Sequence, residues 1–300
     1  MFEEFKNAFQ RYNNGHVQLI IVNLAVFVIM GVVMVVMKIS GLNELWSLIH
    51  EQFQIPARFS EFVGRPWSLL TYMFMHDLTG ILHILFNMLI MYWFGRLFVE
   101  YLGSDKLIAV YLLGGIAGGV LYLLAYNTIP FFVAQSQAFD IGMVGASASV
   151  NAIVVATATL LPNYTFFLLF IGPVRIKYIA AFFVFLSFLG SVGDNAGGNI
   201  AHLGGALIGF VYMRQLQSGI NWGGWITVTL DWFKDLFKEK RRVKVSYRKD
   251  RATSTHHTST HERVPYTQEE IDRILDKISE GGYESLTKDE KEKLFNASKK

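Results

Sequence analysis

The stretch "MVGASASVNAIVVATATLLP", residues 143–162, is an apolar segment long enough to cross a lipid bilayer, which takes about 17 to 25 residues. It begins unusually, because residues 145–149, Gly-Ala-Ser-Ala-Ser, place two hydroxyls among three small residues. Further stretches of this kind lie at about 16–37, 81–101, 106–126, 173–190 and 197–214. The sequence therefore predicts an all-α membrane protein with six spans.

The placement of Lys and Arg predicts the orientation of these spans, since both residues collect in cytoplasmic loops. With the N-terminus inside, the inner side receives the basic residues of alternate short loops, whereas the connections at about 127–143 and 191–196 contain none. The long first outer loop, about 38–80, is the exception, and its Trp46 and Trp67 suggest either an element lying at the membrane surface or an ordinary structured loop. We expect a multi-pass protein with both termini cytoplasmic, and a bacterial plasma membrane as its location.

Composition divides the chain into a hydrophobic main part and a charged C-terminal tail. We predict a cytoplasmic N-terminal segment (1–15), a six-helix transmembrane domain (16–215), a basic juxtamembrane segment with a linker (216–264) and a small cytoplasmic helical hairpin (265–300). Two capping boxes predict the helices of the hairpin, Thr267 with Glu270 and Thr287 with Glu290, and Gly281 is the expected stop of the first helix.

The charged tail offers two further interpretations. The basic cluster 238–251 is typical of an anchor that touches anionic lipid head groups, and we do not expect nucleic acid as a partner. His256, His257 and His261 lie in a polar linker without a rigid frame, so we predict neither a metal site nor a cofactor. The chain has no cysteine, which excludes a disulfide framework and a thiolate nucleophile.

Polar side chains inside spans suggest a functional site, because they are costly in lipid and usually face a cavity or a partner. His83 and Asn87 share one face of the second span, Ser147 opens the fourth, and His202 lies early in the sixth. These three spans run in the same direction, which places His83, Ser147 and His202 within roughly 10 Å of the outer surface. Their common depth indicates one site.

Small residues explain how two spans could bring these groups together. Residues recur every four positions in the sixth span at Gly197, Ala201, Gly205 and Gly209, and in the fourth at Ala148, Ala152 and Ala156. Such faces let helix backbones approach closely in lipid. Ser147 would then reach His202, and a hydroxyl beside an imidazole is the minimum for nucleophilic catalysis. A lone membrane serine more often bonds a carbonyl one turn back.

Over about residues 60–215 these features resemble the rhomboid family of intramembrane serine proteases. "HILFN" is similar to its H-x-x-x-N motif, "GAS" to G-x-S, and "GGNIAHLGG" to G-x-x-x-A-H-x-x-G; "EYLGS" and "PWSLLTYMFMHD" resemble neighbouring family segments. The resemblance implies a six-helix rhomboid-like bundle. It further implies an endopeptidase that cleaves single-pass membrane proteins within or near the outer part of their span.

The resemblance also implies residue roles. Ser147 would be the nucleophile and His202 its base, without an acidic third member; the Ser147 backbone N–H, His83 and Asn87 would stabilise the oxyanion. We expect Gly145, Ala148 and Asn151 to lie beside these groups.

The chain departs from the family pattern at three positions. Ala148 replaces a glycine and adds a methyl that could narrow the oxyanion pocket, and Asn151 replaces an aromatic and is expected to hydrogen-bond to His202 instead. Trp67-Ser68 stands where the family has Trp-Arg, so the role of that arginine is unfilled or passed to Arg65.

Two other functions remain as alternatives. A catalytically silent rhomboid-like protein would bind membrane clients without cutting them. A channel or carrier would need polar groups in the inner half of the spans, where the fourth span offers only Thr157 and Thr159. The expected partners are transmembrane substrates and the bilayer itself, and the oligomeric state stays open.

Overall fold

The computed structural model describes residues 13–139, 141–169, 171–237 and 267–297. Contacts divide the chain into two compact units, Met1–Glu239 and Lys240–Lys300. The basic cluster 238–251, the three linker histidines at 256, 257 and 261, and most of the predicted N-terminal segment lie outside the described residues.

The described part of the first unit is mainly helical. In chain order its elements are α1 (Gly15–Ile39), α2 (Asn43–Phe53), β1 (Ile55–Pro56), α3 (Phe59–Gly64), α4 (Ser68–Thr71), α5 (Ile81–Leu102), α6 (Ser104–Thr128), α7 (Pro130–Ala138), β2 (Gly142–Met143), α8 (Ser147–Leu160), β3 (Thr165–Leu168), β4 (Gly172–Arg175), α9 (Ile176–Gly190), α10 (Ala196–Gln217) and α11 (Gly224–Phe237).

Among the described residues, three helices are long and apolar enough to cross a membrane, namely α1, α5 and α6. Two of the other predicted spans form shorter apolar helices, α8 with 14 residues and α9 with 15. The expected start of α9 at residue 173 is wrong, because residues 172–175 pair with β3 in an antiparallel hairpin. The last predicted span is α10, a helix of 22 residues.

Two connections contain helices that the sequence analysis did not predict. Residues 130–138 form α7, with Pro130 in the first turn, a position that proline's fixed backbone angle suits. Residues 224–237, which were predicted as part of a linker, form α11 and bury Ile226 against the core of the first unit. The segment after α10 is therefore partly structured.

The core of the first unit centres on α10, which packs most extensively on α8 and α6. A Cβ on Gly205 would fall on the carbonyl of Ala148, and one on Gly209 on the carbonyl of Ala152. Gly197 faces α6 instead, where a Cβ would lie 2.7 Å from Tyr122 Cε2. Side chains larger than hydrogen are thus excluded at the places where these backbones meet.

The second unit contains two short helices, α12 (Gln268–Gly281) and α13 (Lys288–Ala297), joined through a 3₁₀ turn at Tyr283–Ser285. Thr267 and Glu270 form a reciprocal capping box at the start of α12. Helix α12 ends at Gly281, as predicted, and the cap residue after it is Gly282, whose φ of 74° suits glycine. Lys277 Nζ lies 2.9 Å from Glu290 Oε1 and links the two helices.

Candidate active site

Ser147 and His202 meet between α8 and α10. Ser147 is the first residue of α8, His202 lies in the second turn of α10, and the Oγ and Nε2 atoms are 2.7 Å apart. Both side chains are partly exposed. Because Gly205 lies one turn below His202 and admits the Ala148 carbonyl beside its Cα, the two helices approach closely enough for this hydrogen bond.

The backbone that leads into Ser147 is held by its neighbours. The Gly145 N–H donates to the carbonyl of Tyr72 at 3.0 Å, and β2 pairs with β1 through Ile55 and Met143. Gly145 has a φ of 136°, a conformation that residues with a side chain rarely adopt. The glycine of the "GAS" motif is therefore required by the turn that points the Ser147 hydroxyl at His202.

His83 approaches this turn from the first turn of α5, and Asn87 lies four residues further along that helix. A Cβ on Gly145 would lie 3.1 Å from His83 Cε1 and 3.5 Å from Ser147 Oγ, so the imidazole and the hydroxyl flank the same point. Asn87 is buried and its Nδ2 donates to the His83 carbonyl at 2.8 Å. His83, Ser147 and His202, which the sequence suggested as one site, are thus held around one turn, and Asn87 is bonded to His83 one helical turn further along α5.

Asn151 does not bond to His202, contrary to expectation. Its Nδ2 donates to the carbonyl of Ser147 at 2.9 Å, four residues back along α8. The amide is thereby used within its own helix, because a side chain four residues after a carbonyl lies directly over it. Asn151 therefore braces the first turn of α8.

The methyl of Ala148 points toward α6. Ala148 is buried and its Cβ faces Gly118 on α6. A Cβ added to Gly118 would lie only 2.6 Å from the Cβ of Ala148. The departure from the family glycine is accommodated by a glycine on the neighbouring helix. The Ala148 methyl is therefore directed at α6.

Arg65 forms hydrogen bonds that connect parts of the first loop. The arginine of the family pattern would stand at the position of Ser68. Its Nη1 donates to the Glu51 carbonyl at 2.8 Å and its Nη2 lies 3.2 Å from Glu61 Oε2. Trp67 Nε1 donates to the Gln52 carbonyl at 2.8 Å. These bonds join α2 to α3.

The second hydroxyl of the opening stretch faces elsewhere. Ser149 is fully buried against α6, with its Oγ 3.9 Å from the sulfur of Met73 and close to the space beside Gly115. Ser149 and Ser147 thus occupy different faces of α8.

Two polar residues near the site were not singled out from the sequence. Ser187 on α9 lies with its Oγ 3.3 Å from His202 Nδ1. The ring of His76, which is buried, lies 5.9 Å from the ring of His83. The sequence pattern marked neither residue as part of a site. Ser187 is a lone serine in the apolar run "AAFFVFLSFLG", and His76 precedes the span predicted at about 81–101.

Fold and site together define a helical membrane protein with a hydroxyl–imidazole pair between two closely packed helices. Residues 63–218 match the Rhomboid domain, and the chain belongs to the rhomboid family. Residues 261–300 match a family of unknown function (DUF6576).

Two curated relatives come from Arabidopsis thaliana. The chain is 28% identical over 192 residues to RHOMBOID-like protein 12, mitochondrial, a match that covers 60% of this chain and 56% of the relative. It is 25% identical over 210 residues to Rhomboid-like protein 16, chloroplastic, covering 67% of this chain and 62% of the relative. The matches thus span less than two thirds of either relative's length.

Proposed function

We propose that the protein is an intramembrane serine endopeptidase that cleaves single-pass membrane proteins within or near the outer part of their span. The observation that carries the proposal is the 2.7 Å approach of Ser147 Oγ to His202 Nε2. Such a pair supplies both a nucleophile and the base that activates it. Membership of the rhomboid family supports the same chemistry.

In the proposed reaction, Ser147 Oγ attacks the scissile carbonyl while its proton passes to His202 Nε2. The imidazolium then gives that proton to the leaving amine as the peptide C–N bond breaks. A water molecule, deprotonated by the same nitrogen, hydrolyses the resulting acyl-enzyme. Ser147 and His202 are partly exposed in the folded chain, which supports access for that water.

The negative oxygen of the tetrahedral intermediate would form beside the turn at Gly145. Three donors are available there in the proposal. The Ser147 backbone N–H begins a helix and has no partner in the preceding turn of that helix, while the His83 ring and the second N–H of the Asn87 amide come from α5. A preorganised donor of this kind is worth about 2.7–4 kcal/mol in the transition state.

The membrane arrangement is part of the proposal. We infer six spans, α1, α5, α6, α8, α9 and α10, with both termini on the cytoplasmic side, which fits the Lys and Arg distribution. Exposed Phe182, Phe185 and Phe188 on α9 suit contact with lipid, through which a transmembrane substrate would arrive sideways. The bacterial plasma membrane remains a prediction, since the two relatives carry mitochondrial and chloroplastic names.

One observation favours the alternative, a silent protein that binds membrane clients. Asn151 stands where the family places an aromatic residue and turns its amide to the Ser147 carbonyl, which leaves His202 without an aromatic at that position. A client-binding protein would hold a transmembrane segment without forming an acyl-enzyme.

The two functions are separated by a serine-reactive fluorophosphonate probe on purified full-length protein in detergent. The wild type should be labelled, whereas Ser147→Ala and His202→Ala should lose the label, because the first lacks the nucleophile and the second lacks its base. An unlabelled but folded wild type, or a Ser147→Ala variant labelled as fast as wild type, would overturn the protease proposal.

A further inference from the structure

The second ring nitrogen of His202 has a partner on a different helix from the nucleophile. Ser187 Oγ on α9 lies 3.3 Å from His202 Nδ1. The buried residues of α9 are Ile176, Ala180 and Ser187, so this serine is the hydroxyl that the helix turns inward. Ser187 is 5% exposed, which leaves water little access to the bond.

The direction of this hydrogen bond follows from the hydroxyl's single proton. Ser187 Oγ donates to the carbonyl of Phe183 at 2.9 Å, one turn earlier in α9. With its proton used there, the oxygen presents only lone pairs to the imidazole. His202 Nδ1 must then carry the hydrogen, and Nε2 keeps the lone pair that faces Ser147.

We propose that Ser187 is a positioning residue for the reaction proposed above: it holds His202 in the tautomer whose Nε2 accepts the Ser147 proton. The chain of bonds runs from the Ser147 hydroxyl through the imidazole to Ser187 and ends at the Phe183 carbonyl. In the opposite tautomer Ser187 would have to turn its proton from Phe183 to Nδ1, and Nε2 would no longer accept. A hydroxyl therefore does what a carboxylate does in a three-membered triad.

A second contact fixes the level at which the two helices meet. Asn199 on α10 donates from Nδ2 to the carbonyl of Gly190 at 3.1 Å and to that of Asn195 at 2.9 Å. Gly190 lies three residues after Ser187, and Asn199 lies three residues before His202. The Asn199–Gly190 hydrogen bond thus lies one helical turn from the Ser187–His202 bond, and it restrains α9 from sliding relative to the imidazole.

Other hydroxyls in the same unit provide matched controls. Thr157 and Thr159 on α8 also donate to the carbonyl four residues back, at 2.6 and 2.7 Å. Thr157 is fully buried, as Ser187 nearly is. The variant Thr157→Val removes the same kind of bond without touching His202, whereas Ser187→Ala also removes the acceptor for Nδ1.

The direct test is the tautomer of His202 in the resting protein, measured by the 15N shifts of the imidazole in full-length wild type above the pH at which the ring is protonated. The signals are assigned by their loss in His202→Gln. We expect Nδ1 to carry the hydrogen. A ring hydrogen mainly on Nε2 would overturn the inference, and this measurement requires neither activity nor a folded Ser187 variant.

The kinetic test uses the rate of probe labelling. Ser187→Ala should react about two- to tenfold more slowly than wild type, the range expected for loss of one buried hydrogen bond. Ser187→Thr should restore the rate because it returns the hydroxyl, and Thr157→Val should react like wild type. Equal rates for folded Ser187→Ala and Thr157→Val would refute a positioning role.

The two proposals fail separately. A folded wild type that never reacts with the probe sinks the protease assignment, whatever its tautomer. A reactive wild type with the hydrogen on Nε2, or with a Ser187→Ala variant of undiminished rate, sinks only the role of Ser187.

Discussion

The backbone carbonyl of Ala148 lies where a side chain on Gly205 would begin. Ala148 follows Ser147 and Gly205 lies three residues after His202, so this contact sets how closely the Ser147 and His202 side chains approach. The hydrogen bond between Ser147 and His202 thus depends on Gly205, a residue without a side chain.

Replacement of Gly205 should therefore break the site. In Gly205→Ala the new methyl displaces α10 from α8, at a cost of about 1–3 kcal/mol for overpacking, and labelling of Ser147 should be lost. Thermal unfolding and probe labelling in detergent measure both effects. Gly31→Ala is the control, because a Cβ at Gly31 of α1 meets nothing within 4 Å. If Gly205→Ala matched this control in both unfolding temperature and labelling rate, this account of the packing would be wrong.

The contact between the Ala148 methyl and Gly118 on α6 can be tested by moving the methyl from one residue to the other. Ala148→Gly should keep its labelling rate, because the methyl points to Gly118 and away from the oxyanion site proposed above. Gly118→Ala should destabilise the protein, since its Cβ would lie 2.6 Å from Ala148 Cβ and 2.8 Å from the Ala201 carbonyl. The double variant should recover only part of that stability, as the Ala201 clash remains; full recovery would show that the carbonyl yields.

Ser149 should be dispensable for labelling. Its Oγ is directed at Met73 on the far side of α8 from His202, and the 3.9 Å contact with sulfur is a weak one. Ser149→Ala should be labelled at the wild-type rate while Ser147→Ala is not labelled. Parallel reactions of the two variants decide the point, and loss of labelling in Ser149→Ala would mean that the nucleophile was wrongly assigned.

The acidic cap of α13 should titrate well below an ordinary glutamate. Hydrogen bonds from the Thr287 backbone N–H, the Lys277 ammonium and the Thr287 hydroxyl lower the pKa of Glu290 from 4.5 to about 2. Because the folded pKa is the lower one, the cap stabilises α13 above pH 4.5 and is lost as the pH falls from there toward 2. An NMR titration of the Glu290 side-chain carboxyl carbon measures the midpoint.

Thr287→Ala provides the comparison for that titration. Removal of the hydroxyl leaves the backbone and Lys277 bonds, so the Glu290 midpoint should rise part of the way toward 4.5. An unchanged midpoint would show that the hydroxyl contributes nothing to the cap.

The sequence predicted helices best where apolar runs are long, as in α1, α5 and α6. It misplaced the start of α9 because the β3–β4 hairpin is itself apolar: "TFFL" and "GPVR" carry too few charges to separate them from a span. Helix α11 was missed for the opposite reason. Its aromatics follow a cluster of Gly residues and precede a strongly basic run, so composition favoured a linker.

For the candidate site, common depth and small-residue spacing suggested that Ser147, His83 and His202 lie together. The partner of His202 Nδ1 could not be predicted, because spacing along α9 does not say which face of that helix turns inward. Asn151 was assigned the wrong partner since a side chain can reach either its own helix or the next. Such choices depend on helix rotation, which the sequence of one chain leaves undetermined.

The pairing of Ile55 with Met143 has a practical consequence for exchanging parts between members of the family. The first loop and the residues leading into Ser147 share a backbone ladder that the Ala57 N–H extends to the Ile141 carbonyl at 2.9 Å. A transplanted loop without its own residues 141–145 would lose these backbone hydrogen bonds and misalign Ser147. The smallest interchangeable piece is therefore discontinuous, joining the loop to a segment some 85 positions further along the chain.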